Sequence, residues 1–333
     1  MTASHHAKKA PQIPAALLPE SLLEKSKRHA KRALAAKQSG DDDDYQLHAA
    51  LALELLAKSA LARIHPSLVV KAENLNSLLE ASGISTGTTV RTIDAGEAYA
   101  RLRHTVPSYT TPDLDACRKL AERRNAELHS GEAAFAAFPP DLWEGEFWHA
   151  AELILKSMSL TLDDWLGADA KTPKALLQAL RKAKRAAVKQ RIERARTAFL
   201  EFKPDDKKKR TTKQIKQIRE DSKKLDPYAR RDLFEYLALE KWLDTCPACE
   251  AQGIVGGEKA YEEPAEDQSD AEPGYEIVET GYYPLEFHCP SCELALIGNE
   301  EVLMAGIADD SHYVLEEREI QYEPDYEGVR NFV

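Results

Sequence analysis

The sequence predicts a mainly α-helical protein with a small, cysteine-bearing β module near its C-terminus. Three observations support this fold class. Ala, Leu, Glu, Lys and Arg dominate the first two thirds of the 333 residues, a composition that favours helices. Apolar residues recur there at three- and four-residue intervals, as on the buried stripe of a helix. Four of the five cysteines form two Cys-Pro-x-Cys pairs in the last third of the chain.

Charge is spread unevenly along the chain. Residues 171–224 contain 20 Lys or Arg and 6 Asp or Glu, a balance of +14, so the other residues carry −25 to give the net charge of −11. The N-terminal ten residues lack the apolar core of a signal peptide, and no run of 18 apolar residues occurs. We therefore expect a cytoplasmic protein without a membrane segment, in which paired cysteines bind metal rather than form disulfides.

The first segment, residues 1–44, is predicted to contain a proline-bearing arm and a short basic helix over residues 21–38. The acidic run Asp41–Asp44 interrupts the helical pattern and suits the start of the next helix, both as a cap and through the helix dipole. Residues 45–64 form the strongest predicted helix because leucines line two of its sides, which indicates a central place in a bundle. This helix is expected to end before Pro66.

The second segment, residues 45–170, is predicted to be a helical bundle. Thr111-Pro112-Asp113 has the composition of a helix start, and Gly131 suits a helix end. We expect Cys117 and the tryptophans of this segment to pack the core. Its later helices are predicted over residues 67–81, 96–104, 113–129 and 142–166, with a Thr/Gly-rich loop over 84–95.

The third segment, residues 171–244, is predicted to be an extended basic helical arm. Charged helical stretches are expected over residues 173–202 and 210–244, with sparse apolar positions at helical spacing. Such an arm can bind the phosphate backbone of a nucleic acid, or it can be a solvated stalk. Aromatic residues hardly interleave with the charges, so the pattern does not indicate a platform for stacking single-stranded bases.

The fourth segment, residues 245–310, contains the cysteine pairs Cys246-Pro-Ala-Cys249 and Cys289-Pro-Ser-Cys292, separated by 39 residues. Two such turns supply four thiolates in the tetrahedral arrangement that a structural Zn²⁺ ion requires. Cysteines fill every ligand position, so we expect a closed structural site. The pattern of residues 285–305 predicts a strand, a tight turn that carries one cysteine pair (a knuckle) and a second strand, which resembles a zinc ribbon.

Acidic residues surround this cysteine module. An acidic insert occupies residues 258–280, and an acidic tail with several tyrosines occupies residues 311–333. The ribbon and the tail are therefore candidate surfaces for a partner protein.

A compact polar group, Arg124, Asn125 and His129, stands at the end of the helix predicted over residues 113–129. A guanidinium binds phosphate, and an imidazole accepts or donates a proton near neutral pH. Together with an orienting amide, these groups suffice for metal-independent cleavage of RNA by the ribose 2′-hydroxyl. A solvated helix face with no catalytic role shows the same residue pattern.

Helical geometry places Asn125 and His129 on one face but puts Arg124 about 140° away from His129 around the helix axis. The two side chains would meet in one cleft if the helix distorts at its end. They would also meet if two copies of the chain face each other across a two-fold axis.

Residues 45–165 resemble a HEPN domain, a small helical bundle of many prokaryotic defence and toxin ribonucleases. The family motif is an Arg, four to six variable residues and then a His, with a polar residue, often Asn, directly after the Arg; Arg124, Asn125 and His129 fit it. The resemblance implies a homodimer that joins both motifs in one cleft and cuts RNA without metal. Many HEPN toxins that are paired with a nucleotidyltransferase antitoxin carry a Tyr two residues after the His, where this chain has Gly131, so the resemblance does not extend to control by modification of such a tyrosine.

The function expected from the sequence is thus an endoribonuclease that acts as a toxin or an antiphage effector. The alternative is a non-catalytic HEPN-like dimerisation module, whose arm and zinc ribbon bind nucleic acid or protein. Cleavage of RNA by the native chain, and its loss in His129→Ala, would distinguish the two.

Overall fold

The computed structural model describes residues 13–106, 108–201, 209–229, 234, 240–308 and 312–320. The start of the predicted N-terminal arm and the end of the acidic tail are outside the described residues. The chain divides into two compact units, Met1–Lys184 and Arg185–Val333. The predicted class is confirmed at the level of a mainly helical protein with a small antiparallel sheet and a four-cysteine cluster near the C-terminus.

The helices are α1 (Pro19–Ser39), α2 (Asp42–Ile64), α3 (Leu75–Ala81), α4 (Ala95–Leu102), α5 (Thr111–His129), α6 (Glu144–Ser157), α7 (Leu162–Leu166), α8 (Lys171–Leu200), α9 (Thr212–Ser222) and α10 (Asn299–Met304). The strands are β1 (Glu240–Thr245), β2 (Gln252–Pro264), β3 (Tyr275–His288), β4 (Ala295–Ile297) and β5 (His312–Glu319).

Helix α2 forms the centre of the first unit, as its two leucine rows predict. Leu53, Leu56 and Leu61 are fully buried. The Asp41 carboxylate accepts a hydrogen bond from the Asp44 amide at 3.0 Å, so the acidic run does cap this helix. Its C-terminal boundary precedes Pro66, where proline disfavours a further helical residue.

Helix α1 packs along α2 and belongs to the same core. Its buried face carries small residues, including Ala30 and Ala33, which let the two helices approach closely. Ser26 Oγ donates to the Ala52 carbonyl of α2 at 2.7 Å and accepts from the Trp165 indole at 3.1 Å. The segment boundary expected after residue 44 therefore falls between two helices that bury each other.

Two helices differ from their predicted extent. The single helix expected over 142–166 is broken into α6 and α7, because Ser159 adopts a left-handed φ of 59° and Thr161 with Asp164 forms a capping box that starts α7. The expected helix over 67–81 begins only at Leu75, after a 3-10 turn and an Asn74 cap. The tryptophans pack the core as predicted, with Trp148 and Trp165 at most 1% exposed.

The prediction of helix over 210–244 is confirmed for Thr212–Ser222 and is wrong for residues 227–229 and 240–244. A 3-10 turn starts at Pro227, and residues 240–245 form strand β1, which pairs with β2 from Glu240↔Gly257 to Thr245↔Gln252. Residues 230–233 and 235–239, within the predicted helix, are outside the described residues.

The second unit has a core of its own. Among its described residues the sheet is antiparallel in the order β1-β2-β3. Strands β4 and β5 both pair with the other edge of β3, β4 near its C-terminal end and β5 along its N-terminal part. The C-terminal half of α8 contributes Val188, Ala195 and Phe199 to the core around the cysteines. This part of the predicted extended arm is therefore packed, because its sparse apolar residues fall on one side of the helix.

The acidic segments also take part in the sheet. Much of the insert at 258–280 forms the outer parts of β2 and β3, and the start of the acidic tail forms β5, which pairs with β3 from Tyr275↔Glu319 to Tyr282↔His312. The predicted second strand of the ribbon is short, and residues after it form the helix α10 instead.

Candidate metal centre and the Arg124 to His129 segment

The four cysteines of the two Cys-Pro-x-Cys pairs converge in the second unit. Cys246, Cys249, Cys289 and Cys292 are all buried, and their sulfur atoms lie within 4.8 Å of one another. Sulfurs from different knuckles are closest, with Cys246 to Cys292 at 3.6 Å and Cys249 to Cys289 at 3.5 Å. The sequence prediction that these residues form one site is confirmed in its geometry, and the cluster can bind a metal ion such as zinc.

Each knuckle is built by the same backbone pattern. In the first, the Cys246 amide donates to the Ala251 carbonyl at 2.8 Å and the Glu250 amide donates to Cys246 at 2.9 Å. The second knuckle repeats this pattern: the Cys289 amide donates to the Leu294 carbonyl at 2.9 Å, and the Glu293 amide donates to the Cys289 carbonyl at 2.8 Å.

The residue after each second cysteine turns the chain back into the sheet. Glu250 and Glu293 both adopt a left-handed φ of 61°. The repeated motif is thus Cys-Pro-x-Cys-Glu. The glutamate at its fifth position is visible in the sequence and marks the turn that closes each knuckle. A non-glycine residue with positive φ costs free energy, so the knuckle geometry must be stabilised by its surroundings.

The spacing of the sulfurs fits a tetrahedral ion. Zn–S bonds of about 2.3 Å imply sulfur-to-sulfur separations of about 3.8 Å, close to the distances found here. Mutual hydrogen bonding among the thiols, led by the contact with Cys246, lowers the pKa of Cys289 and raises that of Cys292. Four thiolates so close together would repel one another strongly, and a divalent cation removes that repulsion.

Cys117 is separate from this group, as predicted. It lies in the first unit, 2% exposed in the bundle core. Burial raises the pKa of its thiol to about 12. A thiol that stays protonated is a poor nucleophile and a poor metal ligand, which agrees with a packing role.

Helix α5 ends with the polar group predicted from the sequence, but its members face different surroundings. Asn125 and His129 are exposed on the last turns, whereas the Arg124 side chain is only 12% exposed. Arg124 Nη1 donates to Glu54 Oε2 of α2 at 3.0 Å. The structure of one chain therefore turns Arg124 toward the bundle and His129 toward solvent, as the helical phase predicts.

Glu54 is a residue that sequence reasoning missed. Its other oxygen accepts from Lys58 Nζ at 2.7 Å, so one carboxylate bridges a lysine of its own helix and an arginine of α5. The Glu54–Lys58 spacing of four residues is visible in the sequence as a helical ion pair. The contact with Arg124, 70 residues away, depends on packing that no local pattern shows.

The contact region of Arg124 holds two buried polar atoms without a hydrogen-bond partner in the described structure: Arg124 Nε and the Tyr99 hydroxyl. Burial raises the pKa of Tyr99 well above its usual value, with the nearby Cys117 and Glu54 adding to the effect. Tyr99 therefore stays protonated near neutral pH.

A second group of titratable residues connects α5 with α6. The His149 Nε2 atom lies 3.4 Å from Asp113 Oδ1, while the other Asp113 oxygen caps α5 by accepting from the Thr110 amide at 2.8 Å. Burial raises the pKa of Glu146, one turn from His149. This arrangement connects the first turn of α5 to α6, whereas Arg124 lies near the other end of α5.

The predicted basic arm uses several of its charges within the fold. In the first unit, Lys174 pairs with Asp163 and Arg181 pairs with Glu152. In the second unit, Arg196 donates to the Pro247 carbonyl at 2.8 Å. The high positive charge of this segment thus has a structural use, which composition could not distinguish from binding of phosphates.

The fold and the cysteine site together define a mainly helical protein with a four-cysteine cluster that can bind a metal ion. Comparisons with protein-family models, curated proteins and solved structures return no match for this chain. None of the helices in the described ranges is long and apolar enough to cross a membrane.

Proposed function

We propose that this protein is a metal-independent endoribonuclease of the HEPN type that acts as a toxin or antiphage effector in the cytoplasm. The observation that carries the proposal is the end of α5. There His129 and Asn125 are exposed on adjacent turns, beside an Arg124 that Glu54 holds in a fixed position. An exposed imidazole and an amide one helical turn apart suit attack on a polymer that binds at the surface.

The chemistry requires two copies of the motif. His129 of one copy takes the proton from a ribose 2′-hydroxyl while that oxygen attacks the adjacent phosphorus. The bond from phosphorus to the 5′-oxygen breaks, and His129 of the second copy donates a proton to that oxygen. Arg124 stabilises the charge on the phosphoryl oxygens, Asn125 orients the reacting groups, and the products are a 2′,3′-cyclic phosphate and a 5′-hydroxyl end. A homodimer supplies both imidazoles, which supports placing the active site at an interface between copies.

The test compares full-length native protein with His129→Ala on structured and unstructured RNA, without added divalent cations and again with EDTA. His104→Ala is the matched control, because His104 is also an exposed histidine of the first unit. We expect native protein and the control to cut with cyclic-phosphate ends, and His129→Ala to lose at least about 100-fold in rate, the scale of general acid–base catalysis. The zinc content of each variant is also measured, because it shows whether a lost activity reflects the missing imidazole or a damaged metal centre.

Equal cleavage by native protein and His129→Ala would contradict the proposal, as would no cleavage of any RNA. A cellular test complements it: induced expression should arrest growth for the native chain and the control but not for His129→Ala. Phage challenge at low expression then distinguishes a defence role from simple toxicity.

A second candidate function is favoured by the ion pair itself. Arg124 is largely buried and paired with Glu54, which suits a structural role in connecting α5 to α2. The first unit would then be a non-catalytic dimerisation module, with the second unit binding nucleic acid or a partner protein. This reading predicts that Arg124→Ala lowers stability, that His129→Ala changes nothing, and that no RNA is cut.

We further propose that the metal of the cysteine cluster is a structural Zn²⁺ ion. Four thiolates leave no open coordination position, which suits a structural role. Elemental analysis of protein purified without added metal should find about one zinc per chain. Iron with visible absorption, or no metal at all, would overturn this assignment.

A further inference from the structure

Three arginines of the basic segment contact the metal-binding module through its backbone. Arg196 on α8 donates to two carbonyls inside the first knuckle, Pro247 at 2.8 Å and Ala248 at 3.3 Å. Both peptide groups lie between the two cysteines of that knuckle. One guanidinium thus holds the turn from which Cys246 and Cys249 project.

Arg219 on α9 holds the next peptide of the same knuckle. Its Nε donates to the Cys249 carbonyl at 2.8 Å, and its Nη1 lies 2.8 Å from the Glu250 carboxylate. Glu250 is the residue with the left-handed φ of 61°, so this arginine stabilises the strained position that closes the knuckle. The Gln252 amide, which follows, donates to Ser222 Oγ at the end of α9 at 2.8 Å.

The second knuckle is held differently. Arg191 contacts the chain beyond it, with Nη1 at 3.4 Å from the Ala295 carbonyl and Nη2 at 2.5 Å from Glu301 of α10. Arg196 and Arg219 contact peptides of the first knuckle itself, whereas the contacts of Arg191 are to residues that follow the second. The two knuckles share one backbone pattern but differ in how much of it the helices support.

Charge gives these contacts a second role. Four thiolates and one Zn²⁺ carry a net charge of about −2, and a buried anionic centre is costly unless nearby donors and positive charges compensate it. Guanidinium groups on the knuckle carbonyls polarise those peptides and place positive charge beside the centre. Residues that hold the ligands in this way typically change metal affinity by 10–100-fold when they are replaced.

We propose that Arg196 and Arg219 are positioning residues of the metal centre, so that α8 and α9 complete the metal-binding module and hold its first knuckle in the metal-binding geometry. The inference rests on the zinc centre proposed above. It assigns these two basic residues to metal retention, whereas composition suggested a nucleic-acid-binding arm.

Zinc release from the full-length chain to a chromogenic chelator tests the proposal. Arg196→Gln and Arg219→Gln should release zinc about 10-fold faster than the native chain. Arg194→Gln is the matched control, because Arg194 is an exposed arginine of α8 two residues from Arg196. Arg196→Lys keeps the charge but not the forked geometry, so an intermediate rate is expected.

Timed alkylation of the cysteines with peptide mass spectrometry gives a readout that general loss of stability would not. In both glutamine variants, Cys246 and Cys249 should be labelled before Cys289 and Cys292. Release rates equal to that of Arg194→Gln, or simultaneous labelling of both knuckles, would overturn the role of the arginines. A native chain without zinc would instead show that the proposed zinc centre itself is wrong.

Discussion

Arg124 and Glu54 form an ion pair between α5 and α2 in which neither side chain is more than 16% exposed. The pair couples the segment proposed to act on RNA to the most buried helix of the bundle. It also means that replacing Arg124 has two consequences, one for chemistry and one for stability. Any experiment on the motif has to separate them.

We expect Arg124→Ala to lower the free energy of unfolding of the first unit by about 1–3 kcal/mol. The loss is limited because Glu54 keeps its contact with Lys58. His129→Ala removes an exposed side chain and should change stability by less than about 0.5 kcal/mol. Urea unfolding followed by the fluorescence of the buried tryptophans of the first unit measures both, and equal effects of the two variants would contradict the structural assignment of Arg124.

A pH effect is expected where α1 meets α2. His29 and His48 approach each other with Nδ1 atoms 3.3 Å apart. Burial lowers the pKa of His29, and the facing His48 and the cationic Arg32, Lys25 and Arg28 lower it further. Since the folded state disfavours the protonated ring, stability is fully present above the unfolded pKa of about 6.5 and falls as the pH drops below it.

Thermal unfolding of native protein between pH 7.5 and 5 checks this expectation against His29→Gln, which should show a smaller loss over that range. His104→Gln, a change at an exposed histidine, serves as the control. The same pH dependence in native protein and His29→Gln would show that other groups cause the loss.

The sequence was informative where local chemistry decides the structure. Asp41 as a helix cap, the helix end before Pro66 and the two Cys-Pro-x-Cys knuckles all depend on residues within a few positions of one another. The phase of Arg124 relative to His129 also follows from helix geometry alone. These features were predicted correctly because no distant residue has to be known.

The features that were missed depend on tertiary contacts. The sequence pattern predicted a helix over residues 240–244, yet residues 240–245 form a strand because β2 offers a pairing edge. Glu54 was passed over because its role depends on Arg124, and the arginines of α8 and α9 looked like phosphate ligands because the knuckle carbonyls they bind are distant in sequence. Periodicity and composition carry no information on such pairings.

Replacing any one of the four clustered cysteines with serine should abolish stoichiometric metal binding, since a closed tetrahedral site needs all its ligands. The second unit should then lose near-ultraviolet signal from Trp242, whereas the tryptophans of the first unit should be unaffected. Cys117→Ala is the matched control, because that thiol lies in the other core. Elemental analysis and circular dichroism measure both effects; full zinc content in a Cys289→Ser chain would rule out the four-cysteine site.

A last prediction concerns the way aromatic rings cross the sheet. Trp242 of β1 stacks on His312 of β5, with ring centroids 4.3 Å apart and ring planes 7° apart, although β2 and β3 separate the two strands. The Trp242 ring reaches across because Gly257 of β2 has no side chain: a Cβ there would be 2.6 Å from the ring.

Gly257→Ala should therefore displace Trp242 and lower the free energy of unfolding of the second unit by about 1–3 kcal/mol, as overpacking does. Gly131→Ala is the contrasting change, because that glycine has open space around it and no positive φ; it should alter stability by less than about 1 kcal/mol or raise it slightly. For both variants, near-ultraviolet circular dichroism measures the environment of Trp242 and urea unfolding measures the free energy of unfolding. An unchanged Trp242 signal in Gly257→Ala would mean that the ring does not cross the sheet at this glycine in solution.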